Sequence, residues 1–289
     1  MPSRLDIAKT AVTAHFEHSA ARVYSRVDLA SILDANRDRW KFAQGTTVRA
    51  FIAFLLEKTK LREIRLYSRK YPALLRYSWG EPSPYQLGLS ARGEAYLSHG
   101  SAVFLHSLTD KFPKTVYINR EQSAKPRPPS LTQEALSRSF SAKQRRSNYI
   151  FEYGDWRFIL LSGKSTGRLG VQQMKGPEGE ALECTCLERT LIDIVVRPAY
   201  AGGVYEVLEA FRTARTRMST EKLKGLLKKL DYVYPYHQAI GFYMERAGYS
   251  RKLCGQLREF GLPYDFYLVN GMADVDYNDR WRLFYPKGF

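Results

Sequence analysis

Two clusters of polar residues have the types and spacing that phosphate or metal chemistry needs. Asp274 and Asp276 have the Asp-x-Asp spacing that puts two carboxylates on one face of a strand, as metal-dependent nucleotidyltransferases require. No Gly-Ser turn followed by a strand precedes them, so a solvated acidic turn is the favoured interpretation. The run Ser162–Ser165 resembles the end of a phosphate-binding loop, but the position five residues before Gly163 is Phe158 instead of glycine. This run is therefore expected to be a polar turn.

Histidine and cysteine spacings could also indicate a metal or catalytic site. His99 and His106 lie seven residues apart and could share a helix face, but no third ligand is close in sequence. Cys184 and Cys186 form a Cys-x-Cys without a second pair, which is a weak metal signal. Ser101 lies near His99 without the Gly-x-Ser-x-Gly setting of a serine hydrolase. The sequence thus predicts no enzyme, no metal site and no cofactor.

The charge of the chain gives the first positive indication of function. The 289 residues carry a net charge of +16. Residues 1–80 hold 15 Lys and Arg against 7 Asp and Glu, and residues 81–150 hold 10 against 5. Residues 151–289 hold 20 against 17 and are close to neutral. A basic front half favours a polyanionic partner such as nucleic acid, and a neutral remainder favours a protein partner.

Composition excludes several classes of protein. With 44% hydrophobic and 26% charged residues, the chain has the composition of a globular protein. Its longest apolar stretch, Ala50–Leu56, is far shorter than a membrane helix requires, and the N-terminus lacks the apolar core of a signal peptide. Three cysteines do not make a disulfide framework. We therefore expect a cytoplasmic protein with no membrane partner.

The first eighty residues have the pattern of three helices followed by a hairpin. The third helix is expected after Gly45, because Val48, Phe51, Ile52, Leu55 and Leu56 recur with helical spacing. Strands are expected at 61–67 and 74–79, joined by a basic turn. This order predicts a winged helix-turn-helix DNA-binding domain over residues 1–84. These apolar residues occupy one face of the third helix and leave small, hydroxyl and basic side chains on the other face, and the tip of the hairpin is also basic. The candidate DNA-binding residues on this helix and at the hairpin tip are Thr46, Thr47, Arg49, Lys58, Arg69 and Lys70.

A second, larger domain of mixed α+β type is expected over residues 85–289, after the prolines of 81–84. Its patterns predict a helix over 183–196, a hairpin over 149–161, helices over 204–215, 219–230 and 236–247, and a strand over 264–269. Residues 124–130 are expected to form an exposed proline-rich loop. The basic segment 138–146 either extends the DNA-binding surface or is a solvated face.

An aromatic run near residue 235 is the candidate protein interface. Five aromatic rings fall within residues 231–245, and such rings often anchor interfaces. The run is expected to be part core and part surface, with Tyr234, Tyr236 and His237 as the candidate partner-binding residues.

Several short runs resemble one known family. Residues 96–102, with His106 nearby, resemble the start of the effector domain of AbiEi-type antitoxins. The run Leu187–Asp193, followed by 197–203, is similar to the same family, as are residues 234–241 and 285–288. The match spans residues 95–289, and the front half resembles the family's winged helix-turn-helix in pattern only.

The resemblance implies a non-catalytic antitoxin of a bacterial toxin-antitoxin phage-defence system. The N-terminal domain would bind inverted repeats in its own promoter as a repressor, and the C-terminal domain would neutralise a nucleotidyltransferase toxin encoded alongside. Two alternatives stay open: a stand-alone winged helix regulator whose second domain binds a ligand or protein, and a nucleic-acid enzyme using Asp274 and Asp276. Arg189 and Asp193, four residues apart, are expected to pair and hold their helix against the hairpin.

Overall fold

The computed structural model describes residues 3–126 and 130–289, so the centre of the proline-rich loop lies outside the described residues. The fold is mixed α+β, as expected. The helices are α1 (Arg4–His18), α2 (Arg26–Asn36), α3 (Val48–Lys58), α4 (Pro84–Leu89), α5 (His99–Leu105), α6 (Gln133–Ser141), α7 (Leu187–Val196), α8 (Val204–Ala214), α9 (Thr220–Leu230), α10 (Tyr236–Arg246) and α11 (Arg251–Arg258). The strands are β1 (Val23–Tyr24), β2 (Leu61–Leu66), β3 (Leu74–Trp79), β4 (Tyr96–Leu97), β5 (Thr115–Glu121), β6 (Ile150–Tyr153), β7 (Trp156–Gly163), β8 (Val171–Lys175), β9 (Ala181–Thr185), β10 (Phe266–Tyr267), β11 (Val275–Asn278) and β12 (Leu283–Pro286).

The first eighty residues form three helices and a three-stranded antiparallel sheet with the order β1-β3-β2. Ser25 and Asp28 form a capping box at the start of α2, and the Thr47 hydroxyl caps α3. The buried face of α3 is wider than the sequence pattern indicated, because Phe54 is buried together with Phe51 and Leu55. An aromatic and aliphatic core fills the space between these helices and the sheet.

The rest of the chain is built on a six-stranded mixed sheet with the order β6-β7-β5-β4-β9-β8. β5 and β7 are parallel, so both strands end at the same edge of the sheet. Helices α7 to α11 and a small sheet of β10, β12 and β11 form a second hydrophobic core beside it. Within the described residues, no helix is long and apolar enough to cross a membrane.

Two of the predicted elements were wrong in their bounds. The predicted helix over 183–196 is strand β9 up to Thr185 and helix α7 from Leu187, because Ala181–Thr185 pairs with β8 and Cys186 is the N-cap. The predicted strand over 264–269 has only two residues in register with β12. Helix α11 had not been predicted, since it has few apolar residues and buries only Cys254 and Leu257.

The two predicted domains are in extensive contact at the hairpin β2–β3. Ile64 and Leu66 of β2 belong to the same buried cluster as Tyr85 and Phe151. Pro84 is the first residue of α4, whose capping box is formed by Ser83 and Gln86. The boundary at residue 84 stays a prediction, and the hairpin is packed against the residues that follow it.

Candidate nucleic-acid interface

Helix α3 presents the exposed face that the sequence predicted. Thr47, Arg49, Ala50 and Ala53 are exposed, while the opposite side of the helix is buried. The Thr47 Oγ1 accepts a hydrogen bond from the backbone N–H of Ala50 at 3.2 Å, which leaves its hydroxyl hydrogen free to donate. The small side chains leave room for a surface to approach the helix backbone closely, with Arg49 projecting from it.

The loop before α3 is held by one arginine. Arg37 Nη1 donates to the carbonyls of Ala43, Gln44 and Thr46 at 3.0, 3.2 and 3.1 Å. Its Nη2 donates to Asp34 at 3.0 Å. Thr46 is therefore half-buried and bound through its backbone, so it positions the start of α3 more than it offers a free side chain. Arg37 was not among the predicted site residues, and no local sequence pattern distinguishes it from the other arginines.

Lys58 lies at the far end of α3 and already has an anionic neighbour. Its Nζ is 2.7 Å from Glu57 Oε1. This hydrogen bond and the charges of Glu57 and Asp6 raise the pKa of Lys58 above its ordinary value. Arg49, Arg69 and Lys70, in contrast, form no ion pair with any residue that the structure describes.

The tip of the β2–β3 hairpin is exposed, but both sides of it are attached to the second half of the chain. The backbone of Tyr67 exchanges two hydrogen bonds with Glu152, at 2.9 and 2.7 Å. The Tyr71 hydroxyl donates to Asn148 at 3.0 Å, and its ring lies 4.4 Å from that of Tyr149. Arg69 and Lys70 therefore extend from a fixed tip.

These contacts bring a second basic segment next to the hairpin tip. Lys143, Arg145 and Arg146 are exposed and end two residues before Asn148, which binds Tyr71. No described residue forms an ion pair with any of the three. The Tyr71–Asn148 hydrogen bond therefore places the chain just after residues 143–146 against the hairpin tip.

The aromatic run divides between core and surface differently from the prediction. Tyr236 was expected at the surface but is 9% exposed, and its ring contacts those of Tyr232 and Phe266 in the hydrophobic core. It was wrongly placed because it starts α10 with its side chain on the inner face. Tyr234 and His237 are half-buried. His237 Nε2 binds the Gly261 carbonyl at 2.7 Å, and burial lowers the pKa of this imidazole.

The centre of the Leu187–Asp193 run is a buried ion pair. Arg189 Nε donates to Asp193 Oδ1 at 2.8 Å, as the spacing predicted, and both side chains are almost completely buried. The pair does not hold α7 against the hairpin: Arg189 Nη1 donates to the Leu169 carbonyl in the loop after β7, at 2.7 Å. Although burial opposes it, the Asp193 carboxylate raises the pKa of Arg189, so the guanidinium stays charged.

The residues that resembled phosphate-binding or metal-binding motifs in the sequence make contacts within the fold. Lys164, in the phosphate-loop-like run, donates to the Leu230 and Asp231 carbonyls at the end of α9. His106 binds the Thr185 carbonyl at 2.7 Å. Asp276 lies in strand β11, where it pairs with Tyr285 of β12, and Asp274 lies directly before the strand, so the expected acidic turn was wrong for Asp276. No group of three potential metal ligands occurs within residues 3–126 and 130–289.

Comparison with known proteins places the chain by its fold. No family model matches it, and no curated protein matches its sequence. The crystal structure of the RV2827C protein from Mycobacterium tuberculosis is similar, with a TM-score of 0.56 and 14% sequence identity. The match covers 98% of this chain and 93% of that one. At this identity the similarity concerns the fold alone.

Proposed function

We propose that this chain is a DNA-binding autorepressor and antitoxin that neutralises a nucleotidyltransferase toxin. The observation that carries the DNA-binding half is the exposed face of α3, on which Arg49 is unpaired and Ala50 and Ala53 leave space for a groove. Three helices followed by an antiparallel hairpin are the order of a winged helix-turn-helix, whose third helix enters the major groove.

Charge supports the same surface. The first 80 residues carry 8 more basic than acidic residues. On this proposal, Arg49 reads base edges, while Arg69, Lys70 and the segment 143–146 bind phosphates on either side of the groove. Lys58 contributes less than Arg49 on this proposal, because Glu57 already neutralises part of its charge.

The test is binding of the full chain to the DNA upstream of its own reading frame, measured by fluorescence anisotropy over a series of salt concentrations. Arg49→Gln should weaken binding by about 1–3 kcal/mol and relax the sequence preference. Arg69→Gln and Lys70→Gln should weaken binding to all sequences and each lower the salt slope by about 1. Arg251→Gln, which removes an exposed arginine at the start of α11, is the matched control and should bind as the unmodified chain does.

The antitoxin half rests on the resemblance of residues 95–289 and on the near-neutral charge of residues 151–289. It is tested by co-expression with a neighbouring nucleotidyltransferase gene, with growth as the readout. Arg49→Gln should still restore growth, since neutralisation is assigned to the other half of the chain. If no such gene adjoins, or if growth is not restored, a stand-alone regulator replaces the antitoxin proposal.

A further inference from the structure

A cavity of about 280 Å³ lies in the second half of the chain. It is formed where β5 and β7 end together at one edge of the sheet and meet α7 and the segment before α10. No single stretch of sequence marks it, since its lining comes from residues between His99 and Tyr236.

Two residues that line this cavity each have a buried side-chain oxygen with no hydrogen-bond donor among the described residues. Asn119 is 3% exposed, and its Nδ2 donates to the Tyr96 hydroxyl at 2.7 Å while Oδ1 is unpartnered. Asp193 is 5% exposed, and its Oδ2 is unpartnered while Oδ1 binds Arg189. Gly163 makes room for the amide, because a Cβ there would lie 2.5 Å from Asn119 Nδ2. Such orphaned acceptors are costly unless something supplies donors to them.

The charge of the lining is positive. Lys164, Arg189 and Arg197 face the cavity, against the single carboxylate of Asp193. Arg197 is half-buried and makes no hydrogen bond to a described residue through its guanidinium, which lies 5.9 Å from the Tyr200 ring. Glu121, behind this lining, is bound by the backbone amides of Thr166 and Arg168 and does not offset the free guanidinium. The lining therefore combines an unused cation with unused acceptors.

Aromatic rings form the remaining wall. Tyr232, Tyr234 and Tyr236 line the cavity, and the Tyr236 ring contacts each of the other two edge to face. A doubly charged phosphate would bind to the excess of cations, and N–H and O–H groups would donate to the two unpartnered oxygens. A flat ring would pack against the tyrosines. We propose that this cavity binds a nucleoside monophosphate, with the phosphate at Arg197 and the donors of the base or sugar at Asn119 and Asp193.

There is further space for such a ligand beside the cavity. A second cavity of about 730 Å³ shares Gln122, Lys164, Tyr232 and Val233 with the first. Small-molecule sites typically occupy roughly 300–1,000 Å³, so the two together suffice for a mononucleotide.

The experiment is isothermal titration calorimetry of the full chain at near-physiological salt. The probes are the four common ribonucleoside monophosphates, ribose 5-phosphate, adenosine and inorganic phosphate. At least one nucleotide should bind one-to-one with sub-millimolar affinity, and more tightly than the three partial probes. Arg197→Gln should weaken binding about 10- to 100-fold, since it removes a charge-assisted contact. Arg217→Gln, which removes an exposed arginine outside the cavity, is the matched control and should bind normally.

The proposal is overturned if no nucleotide binds at millimolar concentration, or if Arg197→Gln binds as the unmodified chain does. Equal binding of ribose 5-phosphate or inorganic phosphate would overturn the assignment of a nucleoside, since the tyrosines would then add nothing. The site does not depend on DNA binding. Arg49→Gln should therefore bind the nucleotide normally, so that failure of one proposal is distinguishable from failure of the other.

Discussion

Removing one partner of the Arg189–Asp193 pair should be among the most damaging single changes in the second half of the chain. In Asp193→Ala, the Arg189 guanidinium would stay buried and charged, with the Leu169 carbonyl as its remaining hydrogen-bond acceptor. Breaking a buried pair in this way typically costs about 3–5 kcal/mol of unfolding free energy. Loss of the carboxylate also removes a charge-assisted hydrogen bond of 2.8 Å.

The double variant separates the pair's own contribution from the cost of stranding a charge. Arg189→Met with Asp193→Leu removes both charges and fills similar volume, so it should recover most of the loss. The assay is urea unfolding at neutral pH at constant m-value, applied to Asp193→Ala and to a cycle of four proteins: the unmodified chain, the two single changes Arg189→Met and Asp193→Leu, and their double variant. The reasoning would be refuted if Asp193→Ala cost less than about 1 kcal/mol, or if the two single changes were additive to within about 0.5 kcal/mol.

Three further outcomes are expected. Gly241→Ala on α10 should lower the unfolding midpoint, because the new Cβ would approach the fully buried Trp281 ring far inside contact distance; overpacking of this kind costs about 1–3 kcal/mol, and normal stability would contradict the contact. Burial and the nearby arginines lower the pKa of His99 in the folded chain to about 3, below its unfolded value of 6.5. His99 is therefore neutral in both states at neutral pH, and the free energy of unfolding decreases as the pH falls below 6.5 because only the unfolded chain takes up the proton. The free energy of unfolding measured with urea should be about 2 kcal/mol lower at pH 5 than at neutral pH because of this residue, and His99→Asn should abolish that contribution. Burial raises the pKa of the Cys184 thiol to about 12 and that of Cys254 to about 11, so neither should react with a thiol reagent until the chain unfolds, and reaction in the native state would contradict their burial.

Much of the first half could be predicted because its signals are local. The capping box of Ser25 and Asp28 and the cap at Thr47 each depend on residues only three positions apart, so such signals can be read directly from the sequence. Arg37 could not be found in this way. Its role depends on a loop folding back to bring three carbonyls to one guanidinium.

The second half was harder because its signals depend on distant partners. Residues 181–185 form a strand because β8 and β4 pair with it on its two sides. The helical spacing of the residues that follow extended the predicted helix back to residue 183, and the sequence does not show these strand partners. A tyrosine side chain occurs both in cores and at surfaces, so its type does not predict its burial. Tyr236 is buried because of the way α10 packs. The cavity between β5, β7 and α7 combines residues that are far apart in sequence, and only the fold brings Asn119 and Asp193 to it.

The backbone bridge between Tyr67 and Glu152 also bears on aggregation. β2 is an edge strand of the three-stranded sheet, and β6 is an edge strand of the six-stranded sheet. The bridge therefore joins the edges of the two sheets. Unpaired edges can recruit strands from other molecules. During synthesis β2 emerges well before β6, and at roughly 5–20 residues per second this interval lasts several seconds. The exposed charges of Arg62, Glu63 and Arg65 on β2 would discourage intermolecular pairing until β6 arrives.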